Sequence, residues 1–187
     1  MFILVTGASA SGKSEYAEKR IISLTPSNEN AIYIATMQPF GDEGKDRVEK
    51  HKKQRAGRRF DTLEIYRDLD STECLNFADG QRKNILLECL SNLLANEMFD
   101  DSKLPAERTN EALKNKILSG IQRLIKKSAN LVIVTNEVFS DTMDYDSETL
   151  RYIELLGSIN QSLARYADEV VEVVYGVPVF LKNMVMI

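Results

Sequence analysis

The sequence predicts an α/β fold, a mainly parallel sheet flanked by helices. Three observations point to it. Short apolar runs rich in β-branched residues recur along the chain, the pattern of strands buried on both faces. Longer stretches between them carry apolar residues at helical spacing. Strands that alternate with helices pack as parallel neighbours joined by crossovers, with helices on both faces.

The elements follow in order. Residues 2–6, "FILVT", form the first predicted strand, and residues 14–24 the helix after it. Residues 31–36 form the second strand. Residues 42–57 read as a helix that is almost wholly charged. Residues 84–87 are the third strand, followed by an apolar helix over 90–99. "FDDSKLPAERTN" is a polar connection with a proline, expected as a surface loop. Helix 106–127 places Leu113, Ile117, Ile121 and Leu124 on one face. Residues 131–135 are a strand, and helix 147–166 carries Leu150, Ile153, Leu156 and Leu163 on one side. Residues 170–175 are the next strand. "GVPVFLKN" is a final strand after a turn at Gly176, and its proline suits a sheet edge or a strand start.

Composition sets the frame. The chain has 187 residues, 43% hydrophobic and 28% charged, enough for a real core in one domain spanning 1–187. A formal net charge of -4 argues against nucleic-acid binding. Cys74 and Cys89 lack metal-ligand spacing, and Cys89 sits in the apolar run "NILLECLSNLL", where a buried free thiol is the simplest reading. No disulfide framework is visible, which suits a reducing cytoplasm. "MFILV" is too short for a signal-peptide core, and no run is long enough to span a bilayer.

"GASASGKS" fits G-x-x-x-x-G-K-[ST] at every fixed position, between a strand and a helix. The pattern has a physical purpose. Gly7, Ala8, Ser9, Ala10, Ser11 and Gly12 let backbone N–H groups curl around phosphate oxygens, and Lys13 brings a charge to the terminal phosphates. The Ser14 hydroxyl can ligate Mg²⁺, and the helix that follows points its positive end at the ligand. This refines the expected fold to a P-loop nucleotide-binding, RecA-like architecture. A magnesium loop needs a second acidic group at another strand end. Glu88, directly after an apolar strand, would sit beside the loop if the two strands are neighbours; a glutamate that merely starts a helix is the other reading. Asn136 and Glu137 also follow a strand, at the end where open parallel sheets bind ligands.

"KDRVEKHKKQR" holds the only histidine, His51. Charge on both faces makes a solvated helix the plain reading, with His51 as surface filler. Against it stand Lys45, Arg47, Lys50, Lys52, Lys53, Arg55, Arg58 and Arg59. These could hold a triphosphate, keep the imidazole neutral, and leave it free to attack phosphorus.

Taken together, the motifs resemble the adenosylcobinamide kinase/adenosylcobinamide-phosphate guanylyltransferases, bifunctional enzymes of cobalamin synthesis. The resemblance runs through "ILVTGASASGKSEYAE", "YIATM", "DEGKDRVEKHKKQR", "FDTLE", "LLECLSNLLANEMF", "VTNEVF" and "RYIELLGSINQSLARYADEVVEVVYGVPVFLK". Only the phosphate loop is specific alone; the order and spacing of all the pieces are specific together. The resemblance implies that residues Gly7 to Ser14 bind the nucleotide and that His51 takes GMP covalently. It implies nucleotide contacts for Lys52, Lys53, Gln54 and Arg55, and for Ala35, Thr36 and Met37. Glu64 and Glu88 match acidic residues of the same site, and Asn136 and Glu137 match the family's "NEV". Phe139, the segment "SDTMDYD" and Phe60 depart from the family pattern, on the corrinoid side or the pocket wall.

The implied substrates are GTP or ATP with Mg²⁺, and the corrinoid adenosylcobinamide. A homo-oligomer, a trimer, is implied as well. A generic small-molecule kinase with the same loop stays open at this point, as does a nucleotide-binding ATPase subunit. "TNEV" is not a guanine motif of the switch GTPases.

Overall fold

The computed structural model describes residues 1–39, 57–71, 81–138 and 144–183. Among the described residues seven strands form one sheet: β1 (Phe2–Thr6), β2 (Ala31–Ala35), β3 (Phe60–Glu64), β4 (Lys83–Glu88), β5 (Ser128–Val134), β6 (Glu169–Val174) and β7 (Val177–Asn183). Their order is β3-β2-β4-β5-β1-β6-β7, and among the described residues only β6 and β7 pair antiparallel. The helices are α1 (Lys13–Ser23), α2 (Leu90–Met98), α3 (Asn110–Lys127) and α4 (Ser147–Tyr166).

Side-chain alternation divides the core between the two faces of the sheet. Phe2 and Leu4 of β1 join Ile85 and Leu87 of β4 under α2, α3 and α4. Ile3 and Val5 join Leu86, Val132 and Val171 under α1, through Ala17 and Ile21. Each fully buried Leu or Ile stabilises the fold by about 1.5–3 kcal/mol relative to an exposed one.

The mainly parallel sheet with helices on both faces is the architecture expected from the sequence, and the phosphate loop lies between β1 and α1 as expected. The chain leaves β1 toward β2 and later passes beyond β1 to reach β6. The carboxyl end of β1 is therefore a topological switch point, where such sheets bind ligands.

The structure corrects several sequence expectations. β3 was not among the expected strands, because three of the five residues in "FDTLE" are polar; it pairs in register with β2 at an edge, where Asp61 and Thr62 meet water. Helix 106–127 begins at Asn110 instead. Pro105–Arg108 form a single 3₁₀ turn, and Thr109 caps the true helix, its hydroxyl accepting from the Ala112 N–H at 3.2 Å. In the expected surface loop, Asp100 is buried and paired to Arg67 at 2.8 Å. Glu88 ends β4 rather than following it. The expected helix 42–57 lies outside the described residues except at Gly57.

β7 is an edge strand with Pro178 near its start, as expected. Its hairpin turn is the two residues Tyr175 and Gly176, both with positive φ, 51° and 79°. That is the backbone of a type I′ turn, which matches the twist of the paired strands. Cys89 is a buried free thiol, again as expected, and burial pushes its pKa up.

Candidate active site

The phosphate loop is built from backbone conformations that its sequence permits. Gly7 has φ +154°, and a Cβ there would lie 2.6 Å from the Val173 carbonyl oxygen. Gly12 has φ +90° and caps α1 without any side-chain hydrogen bond. The first N–H groups of α1 are thus left for a ligand, at the positive end of the helix. Neighbours hold the loop in shape. The Glu137 N–H donates to the Gly7 carbonyl at 3.0 Å, and the Gly176 N–H donates to the Ser11 carbonyl at 2.8 Å. The hairpin turn between β6 and β7 therefore braces the phosphate loop from below.

Lys13 is nearly buried, and its Nζ donates to the Ala8 carbonyl at 3.1 Å. The Ser14 hydroxyl donates to Glu88 Oε1 at 2.6 Å. The two strands that carry these groups are not neighbours, since β5 lies between β1 and β4. The condition attached to Glu88 thus fails, yet the contact forms, because the loop leans over the end of β5 to start α1. Beside the pair opens a cavity of about 500 Å³ lined by the loop, Tyr33, Glu18 and Arg58. Arg58 and Glu18 form an ion pair at its wall.

Hydroxyl and carboxylate oxygens are hard donors of the kind that hold a small divalent cation with phosphate oxygens completing its shell. Among the described residues no group of three or more His, Cys, Asp or Glu is placed to hold a metal ion. A site completed by phosphate needs none.

The other expected site residues divide into distinct roles. Ala35 sits level with Glu64 on one side and Glu88 on the other. Thr36 is fully buried. Its hydroxyl accepts from the Cys89 N–H and donates to the Cys89 carbonyl, both at 2.7 Å, beside the cis Glu88–Cys89 peptide. The Thr36 N–H donates to the Glu88 carbonyl at 3.0 Å. Thr36 therefore holds the strand end that presents Glu88. Met37 is half-buried beyond it.

Glu64 lies at the exposed end of β3, and the Tyr66 hydroxyl donates to its Oε2 at 2.7 Å. Asn136 donates to the Ser91 hydroxyl at 2.8 Å, at the start of α2. Of the basic group around the histidine, Arg58 reaches the cavity wall, while Arg59 donates to the Pro26 carbonyl at 2.7 Å beyond the end of α1. His51, Lys52, Lys53, Gln54 and Arg55 lie outside the described residues, as do Phe139 and 140–143.

Sequence reasoning did not single out Glu18, Tyr33 or Tyr66. Tyr33 opens the quoted "YIATM" without having been picked out as a site residue, and Tyr66 lies outside every quoted piece. Glu18 is four residues after Ser14, so its place on the cavity side of α1 was available from helical spacing.

Comparison with known proteins places the chain in a family. The family model described as cobinamide kinase / cobinamide phosphate guanyltransferase matches residues 3–181. The bifunctional adenosylcobalamin biosynthesis protein CobU of Escherichia coli (strain K12) is 35% identical over 97% of this chain and 100% of its own. The bifunctional adenosylcobalamin biosynthesis protein CobP of Pseudomonas aeruginosa is 27% identical, covering 96% of both chains. Among solved structures, the flagellar accessory protein FlaH from Methanocaldococcus jannaschii superposes with a TM-score of 0.45 at 13% identity, over 97% of this chain and 78% of that one. On the match along nearly its whole length, this chain belongs to the cobinamide kinase / cobinamide phosphate guanyltransferase family.

Proposed function

We propose that this protein catalyses two successive reactions. It first phosphorylates adenosylcobinamide with a nucleoside triphosphate. It then transfers GMP from GTP to that phosphate, giving adenosylcobinamide-GDP. The family match carries the two-step reading, and the 2.6 Å contact between Ser14 and Glu88 at the mouth of a complete phosphate loop supports its phosphoryl-transfer step.

In the kinase step the substrate hydroxyl oxygen bonds to the γ-phosphorus, the bond to the bridging oxygen breaks, and the nucleoside diphosphate leaves. The hydroxyl proton passes to solvent. Residues Gly7 to Ser14 hold the phosphates through backbone N–H groups, and Lys13 turns from Ala8 toward the γ-phosphate as charge develops there. Mg²⁺ fits the oxygen donors of Ser14 and Glu88, and when bound it neutralises charge on the phosphate oxygens.

In the second step an imidazole nitrogen of His51 bonds to the α-phosphorus of GTP, and pyrophosphate leaves. An oxygen of the corrinoid phosphate then bonds to that phosphorus, and the P–N bond breaks. Lys52, Lys53, Gln54 and Arg55 are placed in sequence to hold the phosphates. Lysines and arginines around His51 support this role, since they favour the neutral, nucleophilic imidazole.

We read residues 1–187 as one domain. The apolar, exposed edge strand β7, with Val177 61%, Phe180 52% and Leu181 60% exposed, supports a homo-oligomer, a trimer by resemblance. None of the described helices is long and apolar enough to cross a membrane. The free Cys89 and the nucleotide substrates fit a reducing cytoplasm.

The decisive experiment is incubation with α-labelled GTP and Mg²⁺. The wild type should carry acid-labile, base-stable GMP on the peptide containing His51. His51→Ala should carry none and keep much of its kinase rate. Full labelling of His51→Ala would remove the nucleophile from this position.

A further inference from the structure

We infer that Tyr175, at the tip of the β6–β7 hairpin, is a stacking platform for the base of the nucleoside triphosphate held by the phosphate loop. The inference rests on the nucleotide site proposed above and adds where the nucleoside lies.

Tyr175 occupies a position that its own chemistry disfavours. Both residues of the turn have positive φ, 51° and 79°, a backbone that suits Asn-Gly or Gly-Gly. A bulky side chain is uncommon there, because its Cβ crowds the following carbonyl oxygen. Packing does not compensate, since Tyr175 is 97% exposed. Folding alone therefore gives no reason for an aromatic ring at this position, whereas a ligand does.

The turn is fixed against the loop. The Gly176 N–H donates to the Ser11 carbonyl at 2.8 Å. A Cβ on Gly12 would lie 3.2 Å from the Gly176 Cα, so the two backbones are in close contact. Tyr175 is the next residue along, and its ring stands in solvent beside the loop. Val174 and Val177, which pair across the hairpin on either side of the turn, are exposed too and extend the apolar surface.

Sheet order gives the direction of the ligand. β1 has β5 and then β4 on one side, and β6 on the other. Ser14 and Glu88 meet on the first side, at 2.6 Å. A cation held there bridges the terminal phosphates of a bound triphosphate. The terminal end is thus drawn toward β4, and the nucleoside hangs from the opposite end. That end crosses the loop to the side of β6, where the hairpin turn stands.

Every nucleobase has a π-face, so an exposed ring takes adenine and guanine alike and needs no hydrogen bond. The platform adds affinity without choosing the base. That suits a phosphoryl donor, whose base takes no part in the transfer.

Equilibrium binding of ATP, GTP and inorganic tripolyphosphate, each with Mg²⁺, to the full-length wild type, Tyr175→Asn and Tyr175→Phe tests this. Tyr175→Asn creates the favoured Asn-Gly pair, so its Tm should hold or rise while the ring is lost. ATP and GTP should both weaken by about fivefold to tenfold, the low end for one base–aromatic stack, because one face of the base stays open. Tripolyphosphate, which has no base, should bind as before, and Tyr175→Phe should keep wild-type affinity for all three. An equal loss for tripolyphosphate would assign the effect to the brace under the loop and overturn the platform. Unchanged ATP and GTP affinities in Tyr175→Asn would overturn it as well; a raised KM for adenosylcobinamide in that case would give the ring to the acceptor instead. A wild type that binds none of the three overturns the nucleotide site itself, and the platform with it.

Discussion

The Ser14 hydroxyl and the Glu88 carboxylate meet at 2.6 Å although 74 residues and one intervening strand separate them. A hydroxyl that opens a helix and a carboxylate that ends a strand converge at the switch point of the sheet. Glu88→Gln keeps the shape and removes the charge. It should lower the metal-dependent kinase rate on the order of 100-fold, the scale found for groups that hold or orient a metal. Lys13→Ala should damage nucleotide handling in both reactions. Rates measured across a Mg²⁺ titration check both; an unchanged Mg²⁺ dependence in Glu88→Gln would remove Glu88 from the cation site.

The narrowest point of the loop lies under Gly7. A Cβ there would sit 2.6 Å from a backbone carbonyl of β6, which cannot step aside as a flexible side chain could. Gly7→Ala should abolish measurable nucleotide binding and cost about 1–3 kcal/mol of stability. Calorimetric titration with GTP and a urea melt read the two effects separately.

Thr36 is set apart from the rest of the expected nucleotide contacts, because its hydroxyl is spent on Cys89. Thr36→Val keeps the volume and strands a buried N–H and a buried carbonyl. The expected loss is about 1–3 kcal/mol. For a chain of this size each kcal/mol lowers Tm by about 2–4 °C. A loss of activity larger than the loss of folded protein would show that the strand end carrying Glu88 has shifted.

Asp100 supplies a pH dependence. The Ser102 hydroxyl and then the Arg67 guanidinium hold its pKa down at about 2. The unfolded value is about 4. A depressed carboxylate contributes stability above its unfolded pKa and loses it as pH falls through the folded one. Thermal melts should therefore fall less steeply between about pH 4 and pH 2 in Asp100→Asn than in the wild type. Parallel curves over that interval would contradict the pairing.

Much of the site was legible because phosphate chemistry imposes a spacing on the chain. Gly7, Gly12, Lys13 and Ser14 must be close in sequence, since one loop has to wrap one phosphate. Glu88 was legible as a carboxylate at a strand end, while its contact with Ser14 was only conditional. Edge strand β3 was missed, since half of its side chains face water and its apolar content is low. The helix start at Asn110 was missed by one turn, because the choice belonged to Thr109 as a cap and not to hydrophobic periodicity.

By itself the sequence determined the α/β class, the phosphate loop and the family, because buried strands need continuous apolar runs and ligand loops need local residue patterns. Tertiary structure alone decided which strand ends come level. It put Glu64, Ala35 and Glu88 in one register, and it set β5 between the loop strand and the acidic strand. It also brought the β6–β7 turn beneath the phosphate loop, through the Gly176–Ser11 hydrogen bond. Strand order arises from how crossovers pack helices on both faces of a twisted sheet, and no local spacing encodes that.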